Sequence, residues 1–155
     1  MDLKALFTPF PMLFTPRLLL RALRDSDLDD LYTYSCDPAI DLYTPWTRYQ
    51  SLAEARADLD KYLVEYERDG MGAWGIEHRG DQRLIGIANF SPPHHRRVEL
   101  GYTIARTDWG EGYATEACQA LVDFGFEQMH LARIEAVCLP DHVASARDAE
   151  NWYAI

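Results

Sequence analysis

The chain has 155 residues, 48% of them hydrophobic and 26% charged, a balance that excludes a disordered polymer and predicts one domain over residues 1–155. Its net charge of −10 lacks the basic field that nucleic acid or an anionic membrane would demand, and suits a cationic partner such as an amine. Three widely spaced cysteines, Cys36, Cys118 and Cys138, make neither a C-x-x-C pair nor a disulfide framework, so a cytoplasmic setting is expected.

In chain order, Met1–Phe14 is apolar in places but is broken by Pro9 and Pro11, and reads as neither a signal peptide nor a membrane span. The run from Thr15 to Leu23 reads as a strand. Asp25 or Ser26 is expected to cap a short helix over Leu28–Tyr34. Residues Asp37–Gln50 hold two prolines with Tyr43, Trp46 and Tyr49 and predict an aromatic-rich loop. Ser51 opens a second helix that Gly70 ends, with Leu52, Ala55, Leu59, Tyr62, Leu63 and Tyr66 at helical spacing. Gly72–His78 and Arg83–Phe90 read as a hairpin reversing at Gly80-Asp81, followed by a loop over Ser91–Arg97 and a strand over Val98–Ile104. A helix from Ala114 to Gln128, a strand over Arg133–Leu139 and a last helix near Ala144 complete the pattern. Antiparallel strands followed by helix, strand and helix predict a mixed α/β or α+β fold.

The stretch that carries chemistry is Glu99–Glu116, ELGYTIARTDWGEGYATE. A strand gives way to a loop with Gly110 and Gly112, and a helix follows. Glycine lets backbone approach a ligand closely, and the unpaired amides and dipole of a helix N-terminus attract phosphate oxygens. The spacing by itself fits a plain strand-to-helix turn better than a ligand seat. G-x-G-x-x-G is absent and no Lys-Ser/Thr pair makes a Walker loop, which disfavours NAD and ATP.

This segment resembles the acetyl-CoA pyrophosphate loop of the GNAT acetyltransferases, Gln/Arg-x-x-Gly-x-Gly/Ala, in the register Trp109, Gly110, Glu111, Gly112, Tyr113, Ala114. Trp109 departs from the superfamily at large but matches the Rim-type (RimJ/RimL-like) branch that acetylates ribosomal-protein N-termini. The same branch is similar to this chain at TPRLLLRAL, ELGY, WGEGYATEA and RIEAVCLPDHVASAR. The resemblance implies the GNAT fold, a twisted and mostly antiparallel sheet with helices on both faces. It also implies acetyl-CoA as co-substrate and a primary amine as acceptor, joined by direct attack in a ternary complex. By the same resemblance the backbone of Tyr102, Thr103 and Ile104 holds the pantetheine arm, in a gap where the strands Val98–Ile104 and Arg133–Leu139 splay. Trp109–Ala114, with Thr115, takes the pyrophosphate, and His142 stands where relatives use asparagine to hold the arm. Tyr43, Trp46 and Tyr49 fall in the loop that contacts the acceptor in the family; a satellite core cluster is the alternative.

An amine must be neutral to attack a thioester, whereas a lysine-type amine titrates near 10.4 and an α-amine near 8. The resemblance makes Glu99 the base; an exposed carboxylate on an alternating strand is the alternative. The tyrosine that many relatives use as acid falls on Ala149, and the serine of the Rim-type branch falls on Ser145, which is expected to protonate the departing thiolate. A backbone amide near Tyr102 or Thr103 would hold the oxyanion.

After Arg147 the likeness fades, and two terminal strands of the family are not matched. Weak activity, a rebuilt tail and a homodimer that shares strands are the alternatives that this leaves. A non-catalytic acyl-CoA-binding or interaction module is the rival reading. No metal is expected: adjacent His94 and His95 should point apart, and no zinc-type spacing is present. A G-x-S-x-G elbow for serine hydrolysis is also missing.

Overall fold

A computed structural model describes residues 2–40, 47–68 and 71–136. A short helix α1 (Leu3–Leu6) leads into β1 (Leu13–Phe14) and β2 (Leu18–Ala22). A 3-10 turn (Asp25–Asp27) then enters α2 (Leu28–Ser35), and α3 (Leu52–Arg68) follows. β3 (Trp74–His78), β4 (Arg83–Phe90) and β5 (Arg97–Ile104) precede a second 3-10 turn (Arg106–Asp108), α4 (Tyr113–Glu127) and β6 (Arg133–Ala136). The strands form one six-stranded sheet in chain order, antiparallel from β1 to β5 and parallel between β5 and β6. This is the mixed, mostly antiparallel sheet expected from the sequence.

Each face of the sheet carries its own apolar cluster, because side chains alternate along a strand. On one face α4 lays Ala117, Cys118, Leu121, Val122 and Phe124 against Leu18, Leu20, Trp74, Ile76, Phe90, Val98 and Leu100. On the other, Leu31, Tyr34 and Leu59 of α2 and α3 cover Leu23, Leu84 and Ile87. Helices therefore lie on both faces.

Three sequence expectations need correction. The run Thr15–Leu23 is not one strand: Thr15–Arg17 is a turn, in which the Thr15 amide donates to the Leu18 carbonyl and the Leu18 amide to Thr15 Oγ1. Neither Asp25 nor Ser26 caps α2. Asp27 instead accepts from the Arg24 amide at 2.9 Å and from both terminal nitrogens of buried Arg21 at 2.9 Å, because a buried guanidinium requires counter-charge. The β3–β4 hairpin reverses through Arg79–Gln82, as read from the sequence, with Gln82 (φ 55) left-handed. His94 and His95 stack with ring centroids 4.0 Å apart, since the following left-handed residues, His95 and Arg96, curl the loop rather than extend it.

Ser51 does open α3: the Glu54 amide donates to its Oγ, and Glu54 accepts from the Gln50 amide. A bulge absent from the sequence reading also shapes the site. The β3–β4 register passes from Ile76↔Gly86 to Glu77↔Leu84, leaving Ile85 extra. Its carbonyl accepts from the Ala105 amide at 2.7 Å and so fixes where β5 ends.

Candidate functional site

The glycine loop begins where β5 is tied off. Trp109 donates from Nε1 to the Ile104 carbonyl at 2.8 Å, and its ring packs on the core under α4. Just before it, Asp108 is buried and takes both terminal nitrogens of Arg83 at 3.0 and 3.1 Å. The chain then turns through Gly110 (φ 80) and Gly112 (φ 82), left-handed geometry that disfavours any residue with a Cβ. Space for a Cβ at Gly110 is empty within 4 Å, so the backbone dihedral alone calls for glycine there.

Gly112 is the N-cap of α4, a helix of 15 residues, and supplies no capping side chain. Among the described residues, the amides of Gly110, Glu111 and Gly112 meet no protein acceptor, and all three residues are exposed. A helix N-terminus with open amides is a fitting seat for a diphosphate.

One carboxylate in the first turn, Glu116, would compete with such an anion. Thr15 Oγ1 (2.5 Å), the Arg17 amide (3.0 Å) and Arg17 Nε (2.8 Å) bind it from the β1–β2 turn. Burial acts to raise the Glu116 pKa, but the Thr15 and Arg17 hydrogen bonds and the Arg17 charge outweigh it and hold the group below its ordinary value. Arg17 also donates from Nη1 to the Glu111 carbonyl at 2.8 Å and lies 4.4 Å over the Tyr113 ring. It clamps the loop from outside and adds positive charge beside the open amides. Sequence reading did not single out Arg17; an arginine leading into a strand looks like any solvated one until the fold brings the turn against α4.

β5 pairs Arg97–Leu100 with Arg133–Ala136 and then runs on through Gly101–Ile104 past the described part of β6. Tyr102, Thr103 and Ile104 thus lie on the stretch that leads to the glycine loop. Tyr102 packs on the α4 side and Thr103 faces the other, where its hydroxyl is 3.4 Å from Tyr34 Oη. Glu99 is exposed, on that same face of β5, with its amide held by Ser91 Oγ at 2.8 Å and Glu135 as its partner on β6. Between Glu99 and Thr103 the strand carries Gly101, which pairs with exposed Asn89 of β4, so this strip of sheet joins the two.

At the Thr103 end the strip opens into a cavity of about 230 Å3 between α2, α3 and the sheet. Among the described residues its polar lining includes Tyr34, Tyr49, Asp58, Tyr62, Asn89 and Thr103, with Ser35 and Thr47. Tyr49 Oη donates to Asp58 at 2.7 Å. Burial, and for Tyr49 the bond to Asp58, push the Tyr34 and Tyr49 pKa values well up, so both stay neutral hydroxyls. Tyr49 falls on the acceptor loop read from the sequence; Tyr34, Asp58 and Asn89 were not anticipated. Tyr43, Trp46, His142, Ser145 and Ala149 lie outside the described residues. Among the described residues no three His, Cys, Asp or Glu gather as a metal site, and no helix is long and apolar enough to cross a membrane.

Comparison with known proteins puts a family to this geometry. Residues 17–151 match the acetyltransferase (GNAT) domain family. An uncharacterised N-acetyltransferase of Bacillus subtilis, YoaA, is 33% identical over 140 residues, which cover 89% of this chain and 79% of that protein. A GNAT-family acetyltransferase structure from Bacillus anthracis superposes with a TM-score of 0.81 at 26% identity, over 92% of this chain and 82% of that one. The ribosomal α-N-protein acetyltransferase RimL, solved in complex with coenzyme A, shares the fold at a TM-score of 0.78 and 20% identity, over 92% and 83% of the two chains. The chain belongs to the GNAT acetyltransferase family and is a GNAT-type N-acetyltransferase.

Proposed function

We propose that this acetyltransferase takes its acetyl group from acetyl-CoA and delivers it to a primary amine by direct attack in a ternary complex. The observation that carries the reading is the pair of left-handed glycines at the head of α4, which leaves the amides of Gly110–Gly112 open while Trp109 and Arg17 hold the loop in place. Trp109–Ala114 with Thr115 would seat the pyrophosphate, and Tyr102–Ile104 the pantetheine arm along β5. That RimL was solved with coenzyme A supports this donor for the shared fold.

Bound acetyl-CoA supplies an activated acyl group, and the remaining work falls to the protein. Glu99 takes a proton from the incoming ammonium, directly or through water over the Asn89–Gly101 strip, so that a neutral amine attacks. The thioester C–S bond breaks as the amide C–N bond forms. The departing thiolate gains a proton, the role the family resemblance gives to Ser145. Much of the rate would come from holding the amine against the thioester.

Two measurements test this. Thiol release from acetyl-CoA with mixed amines should be detected, and calorimetric titration with coenzyme A should give saturable binding. Gly110→Ala should weaken that binding by roughly 5- to 30-fold, since a left-handed alanine costs about 1–2 kcal/mol. Full affinity in Gly110→Ala, or no affinity in the parent protein, would remove the loop from the site.

A further inference from the structure

We infer that the acceptor is a small amine carrying a second cationic group, and that Asp58 is the residue which selects it. The inference rests on the acetyl-transfer reading above and adds to it the acceptor's chemical class. Asp58 is the one formally charged side chain among the described residues that line the cavity beside Thr103. The rest of the lining is hydroxyl, amide and aliphatic.

A carboxylate that only pairs with an ammonium, and does not take its proton as Glu99 is proposed to, keeps it protonated. Placed against the reacting nitrogen it would oppose the deprotonation on which attack depends. Asp58 stands on α3, whereas Thr103 and Asn89 form the sheet floor beside the stretch assigned to the thioester, so its ammonium partner is a different nitrogen from the one that reacts.

Geometry leaves Asp58 ready for that role. Tyr49 takes Oδ2 and orients the carboxylate, while Oδ1 is 3.7 Å from Lys61 Nζ, on a side chain 77% exposed. Asp58 is itself 41% exposed, so this long, solvated pair is worth little and gives way easily to a cation that reaches the carboxylate from the cavity. Size narrows the class further. An apolar cavity of about 150 Å3 holds one benzene, and drug-sized sites begin near 300 Å3. At about 230 Å3 the space fits a short diamine and not a multi-ring aminoglycoside.

The test compares 1,4-diaminobutane, 1-aminobutane and a neutral N-terminal peptide as acceptors for the full chain and for Asp58→Asn, which keeps the oxygen that accepts from Tyr49. Thiol release gives kcat/KM, and calorimetry with and without coenzyme A gives acceptor affinity. The parent protein should prefer diamine over monoamine by roughly 10- to 100-fold, the worth of a hydrogen bond between charged groups. In Asp58→Asn that ratio should collapse towards one, mainly through KM. Equal use of diamine and monoamine, a ratio untouched by Asp58→Asn, or preference for the peptide would each overturn the inference while leaving acetyl transfer standing. Should no acceptor release thiol and coenzyme A fail to bind, the acetyl-transfer reading fails instead. The calorimetric difference between diamine and monoamine then still decides the cationic selectivity of the cavity, equal affinities refuting it.

Discussion

Glu99 and Arg17 act at opposite ends of the same strand-to-helix segment. Glu99 is exposed on β5, at the end of the Asn89–Gly101 strip. As the proposed base it should be expendable for cofactor binding and costly for turnover. Glu99→Gln is expected to lower kcat by roughly 100-fold or more, with coenzyme A affinity retained. Unchanged turnover would return Glu99 to the status of a surface carboxylate. Arg17 is a positioning residue, since it reaches the loop through Glu116 and the Glu111 carbonyl. Arg17→Ala should raise KM for acetyl-CoA several-fold with a smaller change in kcat. The Glu116 pKa is lowered on folding, so its stabilisation is present above the ordinary carboxylate value of about 4.3 and is lost as pH falls through the lowered one. Removing Arg17 lessens that shift. Urea midpoints of Arg17→Ala should therefore fall less between pH 7 and pH 3 than those of the parent protein.

β4 supplies part of the floor of the proposed acceptor cavity, through Ile87 and Asn89. The bulge at Ile85 reverses which side chains face α2 and α3, so that Leu84 and Ile87 both join the cluster on that side. Gly86 follows the bulge and pairs with Ile104. A Cβ there would overlap the Thr103 carbonyl oxygen, a backbone atom that cannot swing aside. Gly86→Ala should cost about 1–3 kcal/mol in denaturant unfolding. Because the strand forced to move carries Thr103 and leads to the glycine loop, acceptor and coenzyme A affinity should fall in the same variant. A loss of stability with both affinities intact would uncouple β4 from the site.

Across the whole molecule, a buried ionic cluster holds the α2 side to the sheet. Arg21, Asp27 and Glu77 have side chains at most 9% exposed and are joined at 2.9–3.1 Å, with Arg24 reaching Glu77 at 2.8 Å. Arg21→Met would strand two carboxylates with only the half-exposed Arg24 as counter-charge. A loss of about 3–5 kcal/mol is expected from urea unfolding, since removing one partner leaves buried charge uncompensated. A loss below 1 kcal/mol would mean that water reaches the cluster.

Much of this architecture is legible in local pattern. Alternation and helical spacing located β3, β4, β5, α3 and α4 to within a residue or two, because burying one face of each element dictates the order of apolar residues. WGEGYATE pointed to a tight strand-to-helix turn for a similar reason: glycine takes left-handed backbone at the least steric cost. Arg17 and Asp58 could not be found that way. Arg17 meets Glu116 across 99 positions, and Asp58 joins a cavity whose floor comes from β4 and β5. A lone charged residue has the same local signature whether it faces solvent or a site, and only the packing of distant elements decides which.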